Sequence, residues 1–511
     1  MKKKDDVTVI RKPKLITVIL CTALLMFAYA AFFAVLWYTV TYGQTGFDSV
    51  WFTLTGGMDG VQSGLVLSYL LKGLLPTVVL TAVTVFVIFF NPKKTVTVSL
   101  FKKFKFNLYP FHRKLKVVVA LVLSGVLLNS AAVNIDLVDY LIYQSRSSTV
   151  FEEYYVDPNT AEIKFPDQKR NLIFISVESL ETTYADKSVG GALDYNLIPN
   201  AMKLAQENIS FSNNSGFGGS QALTGTTWTA GAMVAHTAGI PLKVPFGLQD
   251  NSYGKDGFLP GVTTLYEVLR DNGYYQAVMM GCDAHFANSN VYYTQHGVNK
   301  IYDYYTARDD ELFPQGYKVW WGFEDKLLYT YAKQELTKIA AGDKPFAFSM
   351  KTVDTHHIDG YICSQCEDQY SEQYENVVAC ADRQLGEFVE WIKAQSFFEN
   401  TAVVIVGDHL TMDAGYINRN VDEDYERFVY NCIINASATA TNLKNRQFSA
   451  MDIFPTTLAA MGCEIKGDRL GLGTNLFSST PTLLEEMGLE KLDRQMTYKS
   501  KYYNKNFINY R

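Results

Sequence analysis

The sequence predicts transmembrane helices at the N-terminus, followed by an α/β domain with a mostly parallel sheet flanked by helices. Three observations predict it. Three long apolar runs lie before residue 136. Short, continuous apolar runs follow residue 170, as expected of strands buried on both faces. Helical patterns separate these runs, and strands alternating with helices build a layered α/β domain. The 511 residues, 48% hydrophobic and 14% aromatic, suffice for a large core as well as an anchor. A net charge of -6 is mild and argues against nucleic acid as a partner.

The first run, 15–40, is uncharged and longer than the about 20 apolar residues that cross a bilayer. It is also too long for the apolar part of a cleaved signal peptide. A second run, 65–90, is interrupted by Lys72 and Pro76, and a third covers 117–135. Lys2, Lys3, Lys4, Arg11, Lys12 and Lys14 precede the first run. Between the second and third stand Lys93, Lys94, Lys102, Lys103, Lys105, Arg113, Lys114 and Lys116, with no acidic residue. The loop after the first run instead carries Asp48 and Asp59. By the positive-inside rule the N-terminus is cytoplasmic, and three crossings put everything after about residue 140 outside. The expected location is a membrane, with the large domain on the side away from the cytoplasm.

The expected division is an anchor at 1–135, a polar, Tyr-rich linker at 136–170, a catalytic domain at 171–480 and an extension at 481–511. Strands are expected at 171–177, 275–280, 345–350 and 401–406, with helices such as 264–271 and 324–339 between them. Six of the seven cysteines fall in the large domain, a number compatible with disulfides outside the cytoplasm. Cys363 and Cys366 form a CxxC that suits redox chemistry, zinc or a disulfide. No second CxxC follows, and a structural disulfide is the expectation.

Ligands of such sheets bind beyond the carboxyl ends of the strands. Glu178 follows one strand, Asp354, His356 and His357 follow another, and Asp408 and His409 follow a third. Glu178 could equally be a neighbour of a helix cap. Two carboxylates and an imidazole suit manganese, magnesium or zinc, manganese being the expectation. Thr224-Gly225-Thr226-Thr227-Trp228-Thr229, leading into small residues, reads as a loop entering a helix. A hydroxyl there would meet free amide groups that favour anions, although threonine is also a plain N-cap.

These segments resemble the alkaline phosphatase and sulfatase superfamily, in which a strand ends in a metal-binding acid ahead of a Pro-Asn helix and a nucleophile loop. Val177-Glu-Ser-Leu-Glu181, Gly225 to Met233, Gly239-Ile-Pro-Leu242, Val353-Asp-Thr-His-His357 and Asp408-His-Leu410 resemble the phosphoglycerol transferase I family more narrowly. That family is related to lipoteichoic acid synthases, and the resemblance spans roughly residues 165–470. It implies transfer of phosphoglycerol from phosphatidylglycerol to a glycan outside the membrane. In this superfamily the nucleophile lies ten positions before the glycine closing its helix, and counting back from Gly239 gives Thr229 rather than Thr226 or Thr227. The resemblance further implies a metal site of Glu178, Thr229, Asp408 and His409. His356 would serve the leaving group or phosphate, with His357 its neighbour. Trp228, Asp283, His285 and His357 are candidates for the pocket. Lipoteichoic acid synthases hold glycerol phosphate with a Trp and an Arg where this chain has Ala287 and Ser289. That departure keeps phosphoethanolamine transfer and sulfatase-like hydrolysis as alternatives.

Overall fold

Long apolar stretches satisfy their backbone only as helices when water is absent, and three such helices occur among the described residues. The computed structural model describes residues 14–42, 47, 63–90, 96–100, 104–109, 113–244 and 257–509. Of the charged flanks read above, Lys2, Lys3, Lys4, Arg11, Lys12, Asp48, Asp59, Lys93, Lys94, Lys102 and Lys103 lie outside the described residues. The chain divides into two units, Met1–Val40 with Ser63–Val138, and Thr41–Gln62 with Asp139–Arg511.

In the first unit, α1 (Leu15–Tyr42), α2 (Val66–Phe89) and α3 (Arg113–Asn134) are long and apolar enough to cross a membrane. The interruption at Lys72 and Pro76 becomes a π-helical turn, Leu70–Leu74, within α2. Pro76 stands in the first turn of the α-helical segment that follows, where an N–H is not needed. Tyr29 Oη lies 2.9 Å from Thr84 Oγ1, and Trp37 Nε1 donates to Ser68 Oγ at 3.1 Å, so polar groups of α1 find partners on α2. Between α2 and α3, Val96–Leu100 pairs antiparallel with Phe104–Tyr109.

The second unit is built on a six-stranded sheet: β1 (Asn171–Val177), β2 (Tyr275–Met280), β3 (Lys300–Tyr302), β4 (Phe346–Lys351), β5 (Thr401–Gly407) and β6 (Asn431–Ile434). Their order is β3-β2-β4-β1-β5-β6, parallel except for β6. Alternation along β1 sends Ile173, Ile175 and Val177 into one core and Leu172 and Phe174 into the other. The first core is covered by α4 (Pro199–Glu207), α6 (Asp325–Ala340) and α7 (Gln373–Lys393). The second is covered by α8 (Ile453–Ala460) and the short helix Leu265–Asp271. Between α4 and α6 in sequence comes α5 (Thr229–Ala238), which packs against α8.

Three features differ from the sequence reading. Strands β3 and β6 were absent from it, because three and four residues are too short to show a pattern against their surroundings. The stretch 136–170 contains the helix Val150–Tyr154, whose Phe151 is buried against Tyr503 and Phe507 of the C-terminal segment. The expected CxxC disulfide is not formed, since Cys363 and Cys366 are free thiols with sulfurs 3.8 Å apart.

Candidate metal and nucleophile site

Strand register creates the site. Val177 of β1 is the partner of Gly407 of β5, so Glu178 and Asp408 emerge one residue later on adjacent strands. Strands are about 4.8 Å apart, which forces two carboxylates together. Gly407 permits the approach, since a Cβ there would lie 1.9 Å from the Leu180 carbonyl oxygen. Ser179 takes a left-handed conformation, φ 54°, that turns the chain back across the end of β5. Its N–H donates to Asp408 Oδ1 at 2.8 Å, and its hydroxyl donates to Glu178 Oε1 at 2.9 Å.

Glu178, Asp408 and His409 are each 2% exposed. Each offers a ligand atom within 4.8 Å of the other two. His409 Nε2 lies 3.4 Å from Asp408 Oδ2 and 3.6 Å from Glu178 Oε1. The other ring nitrogen, Nδ1, faces the Leu410 carbonyl oxygen at 2.8 Å, which assigns the proton to Nδ1 and leaves Nε2 free to ligate. Asp408 Oδ2 is buried without a hydrogen bond. Burial, and then the Glu178 carboxylate, push Asp408 up to about 6. Burial alone would lower His409, but Asp408 and Glu178 outweigh it and raise the imidazole. Two crowded carboxylates, one orphaned oxygen and an oriented imidazole fit a divalent cation.

Trp228 caps α5 in extended conformation, and Thr229 is the first helical residue. The helix ends at Gly239, φ 65°, the left-handed stop that a β-carbon would disfavour. Thr229 Oγ1 lies 3.4 Å from His409 Nε2, so the hydroxyl stands beside the carboxylate–imidazole cluster. Thr226 does not compete for this place. It is buried, and its hydroxyl donates to the Leu223 carbonyl oxygen at 2.9 Å within the loop.

One recess is lined by Glu178, Thr229, Cys282, Phe286, Trp321, Lys351 and His356 among others. His356 packs on Trp321 with ring centroids 4.7 Å apart, and its Nδ1 faces the His357 carbonyl oxygen at 2.7 Å. Burial holds His356 down at about 4, so the imidazole is neutral at physiological pH. His357 is also buried, and burial keeps it neutral as well. Trp228, His357, Asp283 and His285 are not part of this lining. Asp283 and the exposed His285 pair with each other instead, Oδ1 to Nδ1 at 2.8 Å. Ala287 and Asn288 take left-handed conformations in the same segment.

Four supporting residues escaped the sequence reading. Trp321 and Lys351 belong to the recess, and Lys351 as the last residue of β4 carried the same positional signal as Glu178. Glu181 is fully buried, accepts from the Thr411 N–H at 2.9 Å and is paired with Arg427, whose Nε lies 2.8 Å away. It thereby ties the segment after His409 to β1. Asp493 accepts from the Thr224 N–H at 2.7 Å, anchoring the loop ahead of Thr229 to the C-terminal segment.

Comparison with known proteins gives this geometry a family. Residues 170–463 match the sequence profile of the family described as Sulfatase. Phosphoglycerol transferase I of Escherichia coli O6:K15:H31 is 32% identical over 269 residues, 52% of this chain and 33% of that protein. The enzyme of the same name from Xanthomonas campestris pv. campestris is 33% identical over 283 residues, covering 53% and 38%. The chain thus spans little more than a third of the length of these curated relatives. Among solved structures, the lipoteichoic acid synthase LtaP from Listeria monocytogenes aligns with TM-score 0.49 and 20% identity over 64% of this chain and 80% of that one. The phosphoethanolamine transferase EptA from Neisseria meningitidis aligns with TM-score 0.48 and 13% identity over 88% and 85%. The profile covers more than half of the residues, including the ends of β1, β4 and β5 and the start of α5, and the chain belongs to the sulfatase family.

Proposed function

We propose that this protein is a membrane-anchored, metal-dependent phosphotransferase that moves phosphoglycerol from phosphatidylglycerol to a glycan outside the cytoplasmic membrane. Thr229 is the nucleophile, and a phospho-threonine is the intermediate. The observation that carries the reading is the Thr229 hydroxyl, 3.4 Å from His409 Nε2 and on the first turn of a helix. The similarity to phosphoglycerol transferase I supplies the substrate class.

Glu178, Asp408 and His409 would hold the cation, manganese in this reading with magnesium or zinc as substitutes, and Thr229 would complete the set. When bound, the cation favours the threonine alkoxide and offsets charge on the phosphoryl oxygens. Thr229 Oγ1 forms a bond to phosphorus as the bond to diacylglycerol breaks. Thr229 loses its hydroxyl proton, and the departing diacylglycerol oxygen gains one. First-turn N–H groups of α5 and the Lys351 ammonium receive the phosphoryl oxygens. In the second displacement the acceptor oxygen bonds to phosphorus as the bond to Thr229 Oγ1 breaks, the acceptor hydroxyl losing a proton and Thr229 recovering one. His356, neutral and lining the recess, suits removal of the acceptor's proton better than donation to a leaving group.

The test offers the purified protein labelled phosphatidylglycerol and phosphatidylethanolamine side by side, with and without manganese and a glycan acceptor. Metal-dependent release of diacylglycerol from phosphatidylglycerol, with glycerol phosphate appearing on glycan, is expected. Preference for phosphatidylethanolamine would reassign the headgroup. Free glycerol phosphate despite acceptor would make the protein a hydrolase.

A further inference from the structure

A second cluster of ligand-type side chains lies apart from Thr229 and takes no part in the proposed reaction. Cys363 and Cys366 stand on the segment that leaves β4 past His356, and Cys380 stands on α7. Cys363 Sγ is 3.9 Å from Cys380 Sγ and 3.8 Å from Cys366 Sγ, and all three sulfurs lie within 4.8 Å of one another. Four sulfurs around zinc at about 2.3 Å define a tetrahedron with edges of about 3.8 Å. A disulfide would need about 2.05 Å and would join only two of the three.

The groups around the sulfurs point the same way. The Gln365 backbone N–H donates to Cys363 Sγ at 3.4 Å, inside the turn that the CxxC forms. Gln384 Nε2 lies 3.3 Å from Cys380 Sγ and 4.0 Å from Cys363 Sγ, and the Arg383 guanidinium is 3.7 Å from Cys380 Sγ. N–H donors and a cation turned onto sulfur stabilise thiolates, the form that binds metal. Gln384 is itself 4% exposed, and its Oε1 makes no hydrogen bond. A half-turn of that amide would exchange its oxygen and nitrogen, presenting an oxygen to the sulfur cluster as a fourth ligand. Cys363 and Cys380 are buried, while Cys366 is half-buried and leaves a route for the ion to enter.

We propose that Cys363, Cys366 and Cys380 form a second metal site, selective for zinc, with the fourth position filled by Gln384 or water. Three soft thiolates select zinc over the hard cations that suit Glu178 and Asp408. The ion would staple the segment carrying His356 and His357 onto α7. Its role is structural, because none of the three sulfurs lines the recess around Thr229.

The full chain, purified in detergent, reduced with a phosphine and stripped of metal, is titrated with cobalt(II). A thiolate-to-cobalt charge-transfer absorption in the near ultraviolet is expected, saturating by two added equivalents because the carboxylate–imidazole cluster also takes cobalt, and removed by zinc. The carboxylate–imidazole cluster contains no sulfur and cannot produce that band, so the result is independent of the phosphotransferase reading. Cys363→Ser and Cys380→Ser should abolish the band, and Cys366→Ser, the least buried change, should weaken or abolish it. Cys463→Ser, a buried thiol elsewhere, should retain it. Absence of the band from reduced protein with native circular dichroism would overturn the site. So would peptide mapping of freshly isolated protein that shows a disulfide among the three cysteines and no zinc by elemental analysis. Loss of the band in Cys463→Ser as well would also overturn it.

Discussion

Thr229, at the start of α5, and Thr226, in the loop before it, have distinct surroundings, and these predict distinct phenotypes. Thr229 Oγ1 faces His409 across 3.4 Å, whereas the Thr226 hydroxyl is used up inside its own turn. Thr229→Ala should abolish turnover, while metal content and melting temperature stay near wild type because only one oxygen is removed. Thr226→Ala should lose stability by about 1 kcal/mol through the lost hydrogen bond yet remain active. Thr227→Ala should be active too, and peptide mass spectrometry should find the trapped phosphate on Thr229. An active Thr229→Ala beside a dead Thr226→Ala would move the nucleophile. Asp408 yields a pH prediction. Its carboxyl is raised to about 6 mainly by burial, so in the metal-free protein its stabilising effect is full below about pH 4 and is lost as pH rises through about 6. A bound cation requires the ionised form, so protons compete with metal on the acid side. Metal affinity, followed by calorimetry, should fall by at least tenfold per pH unit below about 6, because the Asp408 carboxyl and the raised His409 imidazole must both lose a proton to ligate. Asp408→Asn should remove most of the bound metal and reduce the pH dependence to the part owed to His409. Affinity unchanged at about pH 5 would exclude Asp408 as a ligand.

Elements matter here through their ends. The cluster exists because β1 and β5 are in register at Val177 and Gly407, and because Leu180 can cross tightly over Gly407. Gly407→Ala places a methyl group 1.9 Å from a backbone oxygen, so one strand end must shift. The expected result is a fall in melting temperature, a cost of about 1–3 kcal/mol, and weaker metal binding with the sheet itself retained. Normal metal affinity in that variant would show that the strand ends need not be so close. The sequence made part of this readable. Uninterrupted apolar runs marked β1, β2, β4 and β5, and the residue just past a run is visible without a structure. Gly239 marked the end of α5 because a left-handed stop favours glycine. Strand order was not readable, since pairing depends on contacts between segments far apart in the chain. The same reason hid the Glu181–Arg427 pair and the third cysteine. Cys363 and Cys366 are adjacent in sequence, but Cys380 joins them only because α7 folds back. Asp283 and His285, candidates through the resemblance of their segment to lipoteichoic acid synthases, pair with each other.

For the molecule as a whole, the position of the chemistry relative to the bilayer follows from helix count and charge. Among the described residues, three helices satisfy the length and hydropathy that a crossing demands. Lys and Arg crowd the segment before α1 and the segment between α2 and α3, while the segment between α1 and α2 carries Asp48 and Asp59 and no basic residue. Moving the basic segments across a membrane is disfavoured, so the expected topology keeps both cytoplasmic and puts the polypeptide after α3 on the opposite side. In the proposed reaction, a membrane anchor would keep enzyme and lipid donor in one layer, lowering the entropic cost of encounter. The protein should therefore remain with the membrane after salt and alkaline washing. Protease added to intact spheroplasts should digest the region after Asp136 while an epitope at the N-terminus survives. Cleavage of the N-terminal epitope with protection of the large domain would invert the topology. Protection of both ends would mean an even number of crossings, and α2, with its π-turn and Lys72, would be the helix to re-examine.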